Sequence, residues 1–377
     1  MFLIAGTSAF AMTFDVGDNK IDVYGSVRAF TVFNNTDKGD VLDRDRSQFT
    51  LGLQGNSRMG VRWTQGNIFV NGEMGMGGDT TTSNVTLRSL YGDYKFASGN
   101  AGRIRIGQFA TIANTHSYYD RKLSQDNGLQ GFGTMQEQRR FGINYEIGNF
   151  SVSAVSMRQD SSRVTDVFTA TGSGFSQVAF AEIMPRFEAA YTIIPNLKVV
   201  GTYVKSSVVA NNTVTGENDK HYNVDAGHFA VIANPQITDR VKLTASGFYS
   251  VNGGLYQMVS IGGGFNDYEA VSRSDWALPL LKEAGKSDTF NTSVYGGAVA
   301  LGIDAFEVGF GIQNADNDAF VDSITGMGVY ANYKFVVAKN FRITPEIGYL
   351  HGGNYGSNPE LKNSRGLQAG IQFRFDI

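Results

Sequence analysis

The sequence predicts an all-β fold, a transmembrane antiparallel β-barrel of sixteen strands. Three observations predict it. Apolar and polar residues alternate with a period of two in segment after segment, which puts apolar side chains on one face of a strand. The connections between these segments alternate in length, short then long, along the chain. No apolar run reaches the roughly 20 residues that a membrane helix needs. A closed barrel is the other structure that satisfies its backbone in lipid, and it needs apolar residues only at every second position.

The alternation is clearest at 49–63. Phe49, Leu51, Leu53, Met59, Val61 and Trp63 oppose Thr50, Gln54, Asn56, Arg58 and Arg62, interrupted at Gly55 and Ser57. Val241, Leu243, Ala245 and Tyr249 oppose Lys242, Thr244 and Ser246. Phe306, Val308, Phe310 and Ile312 oppose Glu307, Gly309 and Gln313. Phe341, Ile343, Ile347 and Tyr349 oppose Arg342, Thr344, Glu346 and Gly348. The final segment sets Leu367, Ala369, Ile371, Phe373, Phe375 and Ile377 against Gln368, Gly370, Gln372, Arg374 and Asp376. Three places depart from the pattern. Both faces are apolar at 228–232, and Pro345 interrupts a good strand although proline cannot donate to a ladder. A continuous phase through 87–96 puts Leu90, Tyr94 and Phe96 on the inner face.

Short turns are expected at 64–67, 97–101, 148–149, 195–196, 234–239, 304–305 and 338–340. Long polar connections are expected at 34–47, 78–84, 111–138, 158–185, 206–221, 251–287, 314–323 and 351–364. Fifteen connections join sixteen strands with both termini on the short-turn side, and outer-membrane barrels segregate their connections in this way. Composition agrees: among 377 residues there are 6 Pro, so strands run uninterrupted, and 0 Cys, which excludes a disulfide scaffold and thiolate metal sites. A net charge of −3 argues against nucleic-acid binding. Residues 1–11, apolar and ending Ala9-Phe10-Ala11, read as the residue of a secretory signal with an A-x-A site. Residues 12–377 are then one transmembrane β-barrel domain.

Several stretches resemble the general porins of Gram-negative bacteria, the trimeric sixteen-stranded diffusion channels. They are Val23-Tyr24-Gly25-Ser26-Val27, then Ser57-Arg58-Met59-Gly60-Val61-Arg62 leading to Asn71, Gly72 and Glu73. Leu87-Arg88-Ser89-Leu90-Tyr91-Gly92 and Gly102-Arg103-Ile104-Arg105-Ile106-Gly107 resemble the strands before the family's third loop. Arg139-Arg140-Phe141-Gly142-Ile143-Asn144-Tyr145 resembles the strand after it. The terminal run Gln368–Phe375 is similar to the signal read by the barrel-insertion machinery, with Asp376 and Ile377 following where that signal usually ends on an aromatic residue.

The resemblance implies a water-filled outer-membrane channel for passive diffusion of small hydrophilic solutes and ions. It also implies a homotrimer, latched at 78–84, and a long third loop folded into the lumen. Such a pore needs no catalytic residue, cofactor or metal; it selects by fixed charge at a narrow place. The polar strand faces supply Arg58, Arg62, Arg88, Arg103, Arg105 and Arg140 for that constriction, and by position Arg58, Arg88 and Arg140 match the family's arginine cluster best. Asp120, Asp126 and Glu137 are the acids of the candidate third loop, 111–138, which would face them. Arg121 and Lys122 depart from a purely acidic loop, and Gly128, Gly131 and Gly133 permit its bends.

Two other readings stay open. One is a substrate-specific channel. The other is a structural or adhesive barrel with a closed lumen, for which 251–287 with Trp276, Leu278, Leu280 and Leu281 is the segment of interest. An enzyme is not expected: none of His116, His221, His228 or His351 stands in a recognisable catalytic motif.

Overall fold

A computed structural model describes residues 12–37, 46–78, 83–97, 101–123, 128–136, 138–157, 177–212, 217–256, 280–281, 289–317, 323–352 and 365–377. The proposed signal residues 1–11 lie outside the described residues, as do most of 251–287 and the latch residues 79–82.

Sixteen antiparallel strands close on themselves among the described residues. The first four are β1 (Asn19–Asp37), β2 (Arg46–Gln65), β3 (Ile68–Gly78) and β4 (Ser83–Lys95). Next come β5 (Arg103–Ala110), β6 (Arg139–Ile147), β7 (Phe150–Val155) and β8, which runs Gln177–Ile183 and, past Pro185, Arg186–Ile194. The third group is β9 (Leu197–Asn212), β10 (Glu217–Ala233), β11 (Val241–Val251) and β12 (Thr292–Ile303). The last are β13 (Phe306–Asn317), β14 (Ile324–Tyr333 and Phe335–Ala338), β15 (Phe341–His351) and β16 (Arg365–Asp376). Each strand pairs with the next, and β16 pairs with β1 from Ser26↔Asp376 to Asp37↔Arg365, which closes the ring. Met12–Val16 forms a further short strand against Asn19–Val23, along the same edge of β1 as β16.

The alternation read from the sequence turns the usual soluble core inside out. Phe49, Leu51 and Val85 point outward and are 67%, 57% and 69% exposed, while Gln54, Asn144 and Gln368 on the inner faces are each 1% exposed. In water, a large exposed side chain forgoes roughly 1.5–3 kcal/mol of burial. An apolar belt around the whole ring is therefore stable only against lipid. Aromatic pairs gather at the short-turn rim: Phe341 stacks on Phe375 at 4.3 Å, and Tyr333 lies 4.5 Å from Phe335. Such girdles mark the interface of a membrane barrel.

The departures from the pattern have local causes. Leu90 and Tyr94 face outward, 53% and 43% exposed, contrary to a continuous phase through 87–96. The ladder passes from Glu73↔Ser89 to Met74↔Leu87, so Arg88 is an extra residue, a β-bulge. The bulge resets the phase: Val85 and Leu87 point to lipid before it, Leu90 and Tyr94 after it. Phe96 meets the outward Tyr94 edge-on at 5.3 Å. Pro345 is tolerated because its neighbour β14 is interrupted at Lys334; the pairing stops at Asn332↔Glu346 and resumes at Phe335↔Ile343. At 228–232, Phe229 and Val231 face outward while His228, Ala230 and Ile232 are buried on the inner side beside Val200. The expected loop at 206–221 is instead mostly ladder, since β9 and β10 stay paired out to Asn212↔Glu217. Their outer faces turn polar there, at Lys205, Asn223 and Asp225, so the apolar signal stops while backbone pairing continues.

Candidate functional site

The inner faces of β1 to β6 bring six arginines onto one wall. Ladder positions place Arg58 and Arg62 of β2 on the inner side with Tyr24, whose ring lies against Gly60 between them. A β-carbon at Gly60 would fall 2.4 Å from Tyr24 Cζ, so the absent side chain makes the seat for the ring. The Tyr24 hydroxyl lies 3.1 Å from Glu73 Oε2 and 3.0 Å from Asn71 Oδ1. Arg88 Nε donates to Glu73 Oε1 at 2.8 Å, and Arg58 Nε stands 3.7 Å from Glu73 Oε2. Glu73 thus joins two arginines and a tyrosine. Toward the short-turn side, Arg105 grips Asp93 with two bonds, at 2.7 and 2.9 Å, and its guanidinium covers Tyr91 at 4.2 Å. Arg103 bridges Asp93 at 3.0 Å and Glu146 at 2.5 Å. Arg140 Nε donates to Gln138 at 3.2 Å, where β6 leaves the preceding loop. Four of these arginines, Arg58, Arg88, Arg103 and Arg105, meet three carboxylates of the same wall, Glu73, Asp93 and Glu146.

The described residues of 111–138, which are 111–123, 128–136 and 138, lie against the inner faces of the later strands. Leu129 and Phe132 are buried with Ala298, Ala300, Tyr330 and Leu350, and the Tyr119 hydroxyl donates to the Ala298 carbonyl at 2.7 Å. Gly128, Gly131 and Gly133 take φ of 56°, 81° and 114°, which side chains with a β-carbon rarely adopt. Glu346 of β15 receives the backbone N–H of Lys122 at 2.5 Å and of Leu123 at 3.1 Å. Arg121, 1% exposed, donates to Gln368 at 2.5 Å and to the Gly128 carbonyl at 3.2 Å, with its Nε 3.8 Å from Glu346. Gln54 of β2 donates to the Lys122 carbonyl at 2.7 Å, so the segment also reaches the arginine-bearing strands.

Asp120 sits between Lys122 and Lys334, 3.6 Å from the latter, and its backbone N–H donates to Glu307 at 2.7 Å. Burial pushes its carboxyl up, but the two ammonium groups more than offset this and hold it below the usual aspartate range. Asp126 and Glu137 lie outside the described residues. Arg121 and Lys122 are bound into the loop's own anchorage.

Among the described residues, the carboxylates that meet Arg58, Arg88, Arg103 and Arg105 come from the wall itself, where sequence reasoning did not look; the loop acids Asp126 and Glu137 lie outside those residues. Asp93 and Glu146 are the ladder partners of Arg105 and Arg103, so pairing register was the signal that would have found them. A second row was also missed: Arg28, Arg374 and Arg342 are successive cross-strand partners on β1, β16 and β15, with Asp376 2.8 Å from Arg374 and 3.6 Å from Arg342. Among the described residues no three His, Asp or Glu side chains gather as metal ligands would.

No family model matches the chain, and no curated protein sequence matches it. Solved structures do. The outer membrane channel DcaP of Acinetobacter baumannii is similar over 97% of this chain and 99% of its own, with 15% identity and a TM-score of 0.59. OmpT of Vibrio cholerae, an outer-membrane protein, is similar over 97% and 100%, with 15% identity and a TM-score of 0.54. The chain has the fold of the outer-membrane porins. Salmonella typhi OmpF, solved with daunomycin, aligns with this porin fold over 97% of the chain and 100% of its own, at 15% identity and a TM-score of 0.53. At such identity the likeness extends to the barrel and not to the residues of the wall.

Proposed function

We propose that this porin-fold chain forms a water-filled pore across the outer membrane, through which small hydrophilic solutes and ions diffuse passively with a preference for anions. The observation that carries the reading is the arginine wall: six guanidinium groups on adjoining strands, facing the interior, four of them paired with only three carboxylates, Glu73, Asp93 and Glu146. Guanidinium groups keep their charge at any physiological pH. A lumen wall with such an excess raises the local concentration of anions and lowers that of cations. The named neighbours support the reading, since one is an outer membrane channel. A homotrimer fits the same picture, as Vibrio cholerae OmpT has been solved in a trimer form.

The test is a planar bilayer holding the purified protein, with single channels recorded in a salt gradient. Stepwise ohmic conductance with a reversal potential toward the anion is expected, with closures in threes if the assembly is a trimer. Neutral replacements of Arg58, Arg88 and Arg140 together should move the reversal potential toward cations. A folded, heat-modifiable barrel that passes no current would overturn the pore and favour a structural or adhesive barrel with a closed lumen.

A further inference from the structure

Arg62 differs from its neighbours on the wall. Arg58 and Arg88 share Glu73, while Arg103 and Arg105 share Asp93. Arg62 has no carboxylate within ion-pair distance among the described residues. Its contact is with an aromatic face, its guanidinium carbon 4.3 Å from the centroid of the Tyr24 ring. The nearest acid across the ladder, Asp22, accepts from Thr13 at 2.7 Å and stands 3.8 Å from Lys20. The partner on the other side, Asn71, donates to Ser89 at 2.9 Å and accepts from Tyr24. Both flanking polar groups are engaged elsewhere, and the Arg62 side chain is exposed to the lumen.

The platform under it is rigid. Tyr24 is 4% exposed, seated on Gly60 and tied at its hydroxyl to Glu73 and Asn71. A guanidinium lying on such a ring keeps its N–H groups in the plane, directed past the ring edge. A fixed, charged fork of that kind, open to the lumen, matches the two oxygens of a carboxylate. We propose that Arg62, on its Tyr24 platform, is a binding site for the carboxylate of small organic acids crossing the lumen. The inference rests on the open-pore reading above and adds a saturable step to it.

The experiment is the conductance of the reconstituted protein against concentration in potassium acetate, potassium phosphate and potassium chloride, for wild type, Arg62→Lys and Arg62→Gln. In wild type the acetate curve is expected to saturate while the chloride curve stays near-linear. Arg62→Lys keeps the charge but loses the planar fork and the stacking. It should raise the half-saturating acetate concentration about tenfold, ~1.4 kcal/mol. Arg62→Gln should abolish saturation. An acetate curve linear in wild type, or saturation unchanged in Arg62→Lys, would overturn the site while leaving the anion-preferring pore intact. Phosphate saturating as strongly as acetate would overturn the assignment to carboxylates. Absence of any conductance strikes the pore itself.

Discussion

Arg121→Met is the sharpest probe of how the segment 111–138 is held. The side chain is 1% exposed and bonded to Gln368 and to the Gly128 carbonyl, with Glu346 at 3.8 Å. Methionine matches much of its length but supplies no donor and no charge. Removing one member of a buried ion pair costs about 3–5 kcal/mol, mostly because the remaining charge is left in a poor solvent. Here Glu346 keeps the backbone donors of Lys122 and Leu123 and the Asn332 amide at 3.3 Å, so the low end applies, about 3 kcal/mol. Denaturant unfolding in lipid vesicles, followed by tryptophan fluorescence, measures this. A double-mutant cycle with Glu346→Gln should return a coupling of at least about 1 kcal/mol. Open-channel current noise should rise, because a loosened segment moves inside the lumen. A variant within about 0.5 kcal/mol of wild type, with quiet channels, would refute the view that this buried arginine anchors the segment.

Three further outcomes are expected. Gly60→Ala puts a methyl group 2.4 Å from Tyr24 Cζ and should cost about 1–3 kcal/mol in the same unfolding assay, while displacing the ring that carries Arg62. Asp93→Asn frees Arg103 and Arg105 from their shared carboxylate, so the reversal potential in a salt gradient should move further toward anions. Asp120 titrates below the ordinary aspartate range in the folded chain. A depressed folded value stabilises above the unfolded one, about 3.9, and that contribution is lost as pH falls through the folded value. Wild type and Asp120→Asn should therefore differ in stability by a constant amount from about pH 8 to 5, and the gap should close below about pH 4.

Strand number, turn placement and the outward faces were legible because lipid imposes one rule on every strand: apolar at alternate positions. The rule fails where other forces take over. At Arg88 an extra residue resets the phase, and a bulge leaves no mark in a count of alternating residues. Beyond Ser206 the strands leave the lipid, their outer residues become polar, and a ladder looks like a loop. On the inner side no single medium dictates residue type. Arginines could be placed on the inner face from alternation, but their partners depend on ladder register, which a single strand does not reveal. Asp93 and Glu146 became visible only when Asp93↔Arg105 and Arg103↔Glu146 fixed which rungs they share. Arg121 looked like a loop charge in the sequence; its burial depends on Glu346 and Gln368, more than two hundred residues away.

The short strand Met12–Val16 has a topological consequence. Gly25 and Ile377 exchange two backbone hydrogen bonds of 2.9 Å, and Met12 stands opposite Val23. Met12–Val16 covers Asn19–Val23 and Arg365–Ile377 covers Gly25–Asp37, both running antiparallel to β1 along the same edge. The seam of the barrel is thus held by two stretches of chain more than three hundred residues apart in sequence, and loosening either one opens only its own part of that edge.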